Sequence, residues 1–406
     1  MIHKIHRVLC IAVFLLPMPS GYAAEMDTGW GAIDIHGFLS QGYLKSENNN
    51  FYAGTKDGTF QFNEFGINFS TELTDRLHTG LQLFSRDLGD LGNNIVKIDW
   101  AYADYRWKDW LGIRAGKIKT SSGFYNDTRD LDMVRTSIFL PQSLYDETMR
   151  DISMATDGIG VYGYIPLAAL GNLNYQIYYG ENGIETDSSM AKYMEDAAQS
   201  ALIAVDASYN IGGSVEWVTP FDGLRLSGDF STFDLDLLYQ TTPQTPWVSN
   251  DIPVGTYFRY QMENTESTTV SLEYTLEKLT LVSEYGRFRT DVTGINQRSE
   301  EEVEEGYYGG LAYRFANWLE VGGYYSVYYP DRHDKEGESV ETQGWPAHRA
   351  WQKDLALTVR IDLNEYWIVK CEGHWVNGTA QMLLLDNPEG LEEDSFLIAF
   401  KTTYYF

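Results

Sequence analysis

Cysteine is scarce in this chain of 406 residues, which contains only Cys10 and Cys371. Cys371 is left alone if Cys10 departs with an N-terminal leader, and a lone cysteine excludes an internal disulfide. A lipoprotein interpretation of Cys10 is disfavoured, because residues 7–9 before it are not the small residues that lipid attachment requires. The fold must therefore be held by other forces.

Positive charge is scarce as well, since 30 Lys and Arg stand against 58 Asp and Glu, for a formal net charge of -28. A chain this acidic is not expected to bind nucleic acid through a surface that neutralises phosphates. Long apolar runs are also missing: after residue 24 none approaches the roughly 20 residues that a spanning helix needs. No Pro- or Ser-rich linker divides the chain into soluble domains.

The N-terminal segment has the layout of a secretory signal peptide. Two basic residues precede an apolar run over 8–18, and small residues follow as far as Ala24. We predict a leader over residues 1–24, cleaved near Ala23 or Ala24, and a single mature domain over 25–406. Loss of the leader would move the formal charge from -28 to -30.

Alternation of period two is abundant in the mature chain, and it places successive side chains on opposite faces of a strand. From Leu202 to Trp217, apolar residues and Gly213 occupy every second position, and mostly polar residues lie between them. Seven tight polar turns and eight longer polar stretches join such segments, which predicts sixteen strands. A spanning pair within 237–265, where Thr256–Met262 is strand-like, would make eighteen.

This pattern defines the predicted fold class, an all-β transmembrane antiparallel barrel of 16 strands with 18 as the alternative. An even number of strands, with short turns at one rim and long loops at the other, is typical of outer-membrane barrels, whose short turns are periplasmic and long loops extracellular. Aromatic residues beside the short turns, such as Trp107, Trp110 and Trp318, suit the membrane interfaces. A soluble sandwich or propeller would alternate too, but would not segregate connections by length.

The final stretch, SFLIAFKTTYYF, reads as the strand that closes the barrel by pairing with a first strand at Ile33–Tyr43. Its alternation places Tyr404 and Phe406 toward lipid and Lys401 toward the lumen. Closure would leave no unpaired edge within the membrane.

The longest connection, about 121–156, is predicted to fold into the lumen as a constriction loop, because loops of this length are usually functional or disordered. Apolar pieces such as Ile138-Phe139-Leu140 suit packing against a wall. Its candidate pore residues are the charged ones: Asp127, Arg129, Asp130, Asp132, Arg135, Asp146, Glu147, Arg150 and Asp151.

Charged residues that alternation points inward form a second set of candidates on the barrel wall. Opposite charges facing each other across a pore would set up a transverse field that selects solutes by charge. The acidic balance favours cations or neutral solutes. Alternation is ambiguous over 95–107 and 111–119, where both faces carry charge. The wall candidates are Arg86, Arg114, Arg225, Asp229, Glu273, Arg314, Asp354, Arg360, Lys370, Glu372 and Lys401.

The strand count, the terminal Phe406 and the third-loop insertion resemble the general porins of Gram-negative outer membranes. The stretch from Leu111 to Phe124, a basic strand end entering that loop, is also similar to the phosphate-selective porin O and P group. The loop departs from that group because its six acids exceed its three arginines. The resemblance implies a homotrimer in contact with outer-membrane lipid and lipopolysaccharide, and a terminal strand, with Tyr404 and Phe406, that the barrel-assembly machinery recognises.

The sequence therefore predicts an outer-membrane porin, a water-filled channel for passive diffusion of small hydrophilic solutes or ions. A substrate-selective channel for anions, phosphate or sugars, and an adhesin or receptor that works through its loops, remain alternatives. No hydrolase, zinc or phosphate-loop motif occurs, so no enzyme and no cofactor are expected. Acidic runs at Glu300–Glu305 and Glu392–Asp394 could hold a divalent cation in outer loops, but are more often solvated.

Overall fold

The computed structural model describes residues 24–27, 32–89, 91–246, 248–249, 252–294 and 299–406. These residues contribute seventeen strands to one antiparallel sheet. The predicted leader lies outside the described residues except for Ala24. In chain order the strands are β1 (Ala24–Asp27), β2 (Ala32–Glu47), β3 (Phe62–Thr74), β4 (Leu77–Leu88), β5 (Lys97–Lys108), β6 (Leu111–Lys119), β7 (Ala155–Pro166), β8 (Asn172–Glu181), β9 (Ser200–Val218), β10 (Leu224–Thr241), β11 (Tyr257–Leu276), β12 (Leu279–Thr293), β13 (Ser299–Ala316), β14 (Leu319–Tyr329), β15 (Gln352–Asn364), β16 (Trp367–Gly378) and β17 (Asp394–Tyr405).

Sixteen of these strands, β2 to β17, form a closed antiparallel barrel. Each pairs with its neighbours in sequence, and β17 pairs with β2 from Phe396 opposite Glu47 to Tyr405 opposite Phe38. Closure satisfies both edges of the sheet through backbone hydrogen bonds. The predicted sixteen-stranded barrel, closed by its last strand, is confirmed. The short β1 pairs beside the start of β2, with Ala24 opposite Ile35.

With one exception, the connections separate by length between the two rims. At one rim, the short-turn rim, the strands are joined by two to five residues, as predicted. The opposite, long-loop rim carries all the longer connections, such as 330–351 and 379–393. The exception is 294–298, five residues that join β12 to β13 on the long-loop rim. The loop expected over 237–265 is wrong in its bounds, since β10 reaches Thr241 and β11 begins at Tyr257. These strands form one tall hairpin, which keeps the count at sixteen.

A similar correction applies to the acidic run Glu300–Glu305, which lies in β13 and not in a loop. The register of β12 and β13 continues to Thr293 opposite Ser299. Strand segments that extend beyond the apolar belt meet water and carry polar residues on both faces. Their alternation is lost, and the sequence therefore reads as loop.

A bulge explains the ambiguous alternation over 95–107. The register between β4 and β5 shifts at Gln82 and Leu83, which pair with Trp100 and Ile98 and leave Asp99 unpaired between them. The extra residue moves the inward set from odd to even positions. Asp99, at the shift, and Asp104, after it in the sequence, therefore both face the inside of the barrel.

The described α-helices are short and lie in connections of the long-loop rim. The α-helices within the described ranges are α1 (Arg150–Ser153), α2 (Ser189–Ala198) and α3 (Glu338–Thr342). None of the described helices has the length and apolar character needed to cross a membrane.

Candidate functional site

The connection between β6 and β7, residues 120–154, lies inside the barrel, and we call it the internal loop. It bonds to inward-facing groups on β4, β5 and every strand from β10 to β17. Contacts spread around so much of the wall require that the segment crosses the lumen. Its end precedes the expected residue 156, because β7 begins at Ala155.

Glu372 on β16 anchors the middle of the internal loop. Its two carboxylate oxygens accept hydrogen bonds from the backbone N–H groups of Ile138 (2.7 Å) and Phe139 (2.9 Å). His374 lies 3.0 Å from Glu372 through Nε2 and 2.9 Å from Asp354 through Nδ1. Glu372 is fully buried. The carboxylate thus replaces the water that these two amides would otherwise bind.

Glu284 on β12 anchors the start of the loop in the same manner. It accepts hydrogen bonds from the Phe124 N–H (2.7 Å), the Tyr145 hydroxyl (2.6 Å) and the Tyr308 hydroxyl (2.7 Å). Gly123 precedes this contact with φ of +61°, and a Cβ at that position would lie 2.3 Å from the Tyr145 hydroxyl. Glycine therefore allows the turn that directs the Phe124 N–H toward Glu284.

Asp132 of the internal loop lies close to basic side chains of β16, β17 and the loop itself. Its carboxylate is 2.8 Å from Lys401 Nζ and 2.9 Å from the Arg135 guanidinium. Lys370 donates to the backbone carbonyl oxygens of Asp132 (2.7 Å) and Ser137 (2.9 Å). Burial alone would raise the pKa of Asp132, but Lys401 and Lys370 hold it well below its usual range.

A second ionic group joins the end of the internal loop to β4. Glu147 lies 2.5 Å from Arg86 and 3.2 Å from Arg129. Burial acts to raise the pKa of Glu147, yet Arg129 and Arg86 outweigh it and lower that pKa to about 2. Breaking one partner of such a buried pair typically costs about 3–5 kcal/mol.

A neighbouring group joins the loop to β5. Arg150 lies 2.5 Å from Asp130 and 2.9 Å from Asp99, and the Lys119 ammonium is 3.3 Å from Asp130. Burial opposes ionisation of Asp130, but Arg150 and Lys119 hold its pKa well below the usual range. Asp151 pairs more loosely with Lys97, at 3.6 Å.

Two arginines of the wall, Arg314 and Arg360, share Asp362 at 2.8 and 2.7 Å. Arg360 also donates to the carbonyl oxygens of Met133 (2.7 Å) and Arg135 (3.1 Å) in the internal loop. Arg360 is buried beneath the loop, whereas the Arg314 side chain keeps 32% of its surface exposed. Arg360 therefore holds the loop, and Arg314 faces the lumen.

Arg114 and Arg225 lie on the part of the wall that the internal loop leaves partly uncovered. Arg114 is 2.7 Å from Asp104, and Arg225 is 3.0 Å from Glu273. Their guanidinium groups also lie over aromatic rings, 4.2 Å from that of Tyr162 and 4.1 Å from that of Phe124. Each of these charges is compensated by a neighbour on the same wall.

A cavity of about 640 Å³ lies on this uncovered side, between the start of the internal loop and strands β5 to β10. Asp109 and Tyr164 line the end of the cavity that lies nearest the short-turn rim. Asp127 and Asp229 line it, and neither forms an ion pair with any described residue. The other lining residues are Arg106, Arg114, Ser121, Gly123, Phe124, Tyr162, Gly163, Asn174, Tyr175, Gln176, Ser214, Glu216 and Ser227.

The long-loop side of the internal loop is covered by α2 and by the loop over 379–393. Asp196 of α2 accepts hydrogen bonds from the N–H groups of Leu384 and Leu385, both at 2.9 Å. Gln381 donates to the carbonyl oxygen of Gln142 at 2.8 Å and to Asp146 at 2.9 Å. Burial raises the pKa of Asp146. The uncovered space therefore lies toward β5–β10.

Each charged wall residue named from the sequence faces the lumen, but most lie in contact with the internal loop instead of across water from it. Arg86, Lys370, Glu372 and Lys401 all bond to the loop directly. Two facing charged surfaces separated by a pore were expected. The observed ion pairs compensate most of these charges. Among the lining residues of the cavity, Asp127, Asp229 and Arg106 have no ion-pair partner within the described part of the chain.

Sequence reasoning missed Glu284 and Asp99. A signal for Glu284 was present, since the outward set Leu279, Leu281 and Tyr285 on β12 fixes it as inward. Asp99 carried no such signal, because the bulge beside it interrupts the alternation. Within the described residues no group of three or more His, Cys, Asp or Glu is placed to hold a metal ion.

The seam of the barrel is completed beyond β17 by Phe406. Its N–H donates to the Gly37 carbonyl oxygen at 3.0 Å, and the Gly37 N–H donates back at 2.9 Å. A Cβ on residue 37 would lie 2.5 Å from the Phe406 ring. Tyr404 pairs opposite Leu39 and lies on the outward face, as predicted.

Comparison with solved structures shows that the chain has the fold of Gram-negative outer-membrane porins. Outer-membrane expressed OmpT of Vibrio cholerae superposes with a TM-score of 0.59 at 12% identity, covering 94% of this chain and 100% of that one. The outer membrane channel DcaP of Acinetobacter baumannii gives 0.57 at 8% identity, covering 95% and 100%. An anion-selective porin from Comamonas acidovorans gives 0.53 at 12% identity, covering 92% and 99%. No family model and no curated protein matches the sequence.

Proposed function

We propose that this chain is a porin of the Gram-negative outer membrane, a channel through which small hydrophilic solutes and ions diffuse passively. The observation that carries the proposal is the internal loop, which is anchored at Glu284 and Glu372 and leaves a polar cavity on one side of the lumen. A sixteen-stranded barrel is wide enough for an aqueous path. The loop would narrow this path and act as the constriction.

The proposal includes export through a cleaved leader over 1–24, insertion by the barrel-assembly machinery and assembly into a homotrimer. One solved form of OmpT of Vibrio cholerae is described as a trimer. Contact with lipid and lipopolysaccharide would involve the outward apolar face, where Leu357 and Phe400 are exposed. Apolar side chains exposed on the outer face of the barrel suit contact with lipid.

We propose a preference for cations over anions. The argument is that Asp127 and Asp229 at the cavity have no ion-pair partner among the described residues and outnumber the one such arginine, Arg106, while Arg114 and Arg225 are paired. An uncompensated carboxylate lowers the energy of a passing cation and raises that of an anion. A selective route for anions or phosphate would need the opposite balance.

Liposome swelling tests the channel directly. Purified protein in liposomes should admit sugars at rates that fall steeply with solute size, whereas heat-unfolded protein should not. Planar-bilayer reversal potentials under a salt gradient then test the cation preference. Absence of solute permeability from folded protein would reject the porin in favour of a loop-based adhesin or receptor, and firm anion selectivity would reject the charge argument.

A further inference from the structure

We propose that the cavity beside the internal loop is a binding subsite for small organic cations, namely ammonium or guanidinium compounds with an aromatic or apolar stem. This rests on the proposed channel function and names a solute class for it. The cavity volume of about 640 Å³ falls within the range of roughly 300–1,000 Å³ typical of small-molecule sites. It is large enough to hold a solute of this kind with its stem.

Charge is the first argument. Asp109, Asp127, Glu216 and Asp229 line the cavity against two arginines. Arg114 is 2.7 Å from Asp104, and Glu216 is 3.7 Å from Arg225, so wall residues compensate one lining charge of each sign. Asp109, Asp127 and Asp229 then face Arg106 alone. The remaining balance is negative, and it favours a cation.

An unsatisfied acceptor is the second argument. Asp229 is only 7% exposed, and its Oδ2 accepts a hydrogen bond from the Gly123 N–H at 3.2 Å. Its Oδ1 has no hydrogen-bond partner, and neither has the Ser121 hydroxyl nearby on the cavity wall. A buried acceptor without a donor is unfavourable. A ligand rich in N–H donors, reached by a small rotation of the carboxyl group, would supply the missing donor.

Aromatic rings are the third argument. Phe124, Tyr162 and Tyr175 line the same cavity. Two of them already hold a guanidinium of the protein, Arg225 over Phe124 at 4.1 Å and Arg114 over Tyr162 at 4.2 Å. Aromatic faces attract cations and pack against flat stems. The wall therefore already contains contacts between a cation and an aromatic ring, the same kind of contact that we propose for the solute.

Three probes of similar shape test the charge requirement: benzylammonium, benzyl alcohol and benzoate. In planar bilayers, benzylammonium added on the short-turn side should reduce single-channel conductance at millimolar concentration, and the other two should not. Asp229→Asn should weaken this block at least tenfold. Asp75→Asn, which removes the same charge from an exposed turn of the same rim, should leave it unchanged.

A second variant keeps the test valid if Asp229→Asn fails to fold. Phe124→Leu should reduce the preference for benzylammonium over butylammonium at least threefold, with folding checked by the heat-dependent gel shift of the barrel. Equal block by benzoate and benzylammonium, or unchanged block in both folded variants, would overturn the subsite while leaving the channel intact.

Calorimetric titration separates the subsite from the channel. If wild-type protein conducts no ions, the porin proposal fails, and benzylammonium is titrated into the detergent-solubilised folded barrel. Heat of binding that is lost in Asp229→Asn and kept in Asp75→Asn would support the subsite on its own. No binding to the folded wild-type barrel would overturn it.

Discussion

Lys401 Nζ lies 2.8 Å from the Asp132 carboxylate, and this contact joins the strand that closes the barrel to the loop that crosses its lumen. Both side chains are almost fully buried. Ionised groups in such surroundings depend on each other, because an unpaired buried charge costs several kcal/mol. The pair therefore couples closure of the barrel to the position of the loop.

Replacing Lys401 by Met should loosen the internal loop. We expect the unfolding temperature of the barrel to fall, with a loss of about 3–5 kcal/mol for breaking one buried partner, and channel current to become larger and noisier. Asp132 keeps Arg135 as a partner, whereas Glu64 loses the ion pair it forms with Lys401. The double variant with Glu64→Gln should therefore recover part of that loss, because the carboxylate left without a partner is gone. Lys278→Met, at an exposed turn, is the matched control. Equal effects of Lys401→Met and Lys278→Met would contradict the coupling.

Acid should release the internal loop without unfolding the sheet. Glu147 has its pKa lowered to about 2, and those of Asp130 and Asp132 are also depressed. A depressed carboxyl contributes stability that is complete above its ordinary pKa of about 4 and is lost as the pH falls through the folded value. Asp146, with a raised pKa, acts in the opposite sense.

We therefore expect protease resistance of residues 120–154 to hold from neutral pH down to about 4 and to fall between about 4 and 2. Far-ultraviolet circular dichroism should report an intact barrel over the same range. Glu147→Gln should shift the loss of resistance to higher pH, because one ion-paired carboxylate is already missing. A midpoint above pH 6 in the wild type would contradict the assignment.

The barrel was predictable because alternation and turn length are local. The final strand illustrates this: Phe396 to Phe406 alternate without interruption, and both its orientation and its partner follow from the sequence. The tall hairpin of β10 and β11 was not predictable in its bounds. Where a strand leaves the apolar belt, both faces meet water and the period-two signal disappears.

The contacts of the internal loop lay further beyond sequence reasoning. Alternation correctly predicts that Glu372 faces the lumen. It does not predict that the backbone N–H groups of residues 138 and 139 donate hydrogen bonds to its carboxylate. Those partners are 233 and 234 residues away in sequence. They depend on the path of an irregular segment, for which no periodicity exists.

Tyr145 and Tyr308 both hold the start of the loop, and Tyr145 should contribute more because its hydroxyl also accepts a hydrogen bond from the Tyr125 N–H at 3.2 Å. Each donates its hydroxyl to Glu284, at 2.6 and 2.7 Å. Tyr145→Phe or Tyr308→Phe removes one hydrogen bond to the charged acceptor Glu284, worth about 1.5–3 kcal/mol. Tyr145→Phe also removes the acceptor of the Tyr125 N–H. Hydrogen exchange of the peptide containing the Phe124 amide should accelerate about tenfold or more. Tyr307→Phe, on the outward face, should leave exchange unchanged, and acceleration there would contradict the argument.

Deletion of Phe406 should reduce the amount of assembled barrel more than it changes the pore. The residue forms the last two backbone hydrogen bonds of the seam with Gly37, at 2.9 and 3.0 Å, and its ring covers the space that a Cβ on residue 37 would need. Gly37→Leu should therefore impair closure in a similar way, because the ring and the new side chain collide.

Membrane levels measured by the heat-dependent gel shift, together with the single-channel conductance of the protein that still assembles, distinguish an effect on assembly from an effect on permeation. Phe400→Leu, an outward substitution within the same strand, controls for loss of an aromatic ring, and normal membrane levels without Phe406 would reject its role in assembly.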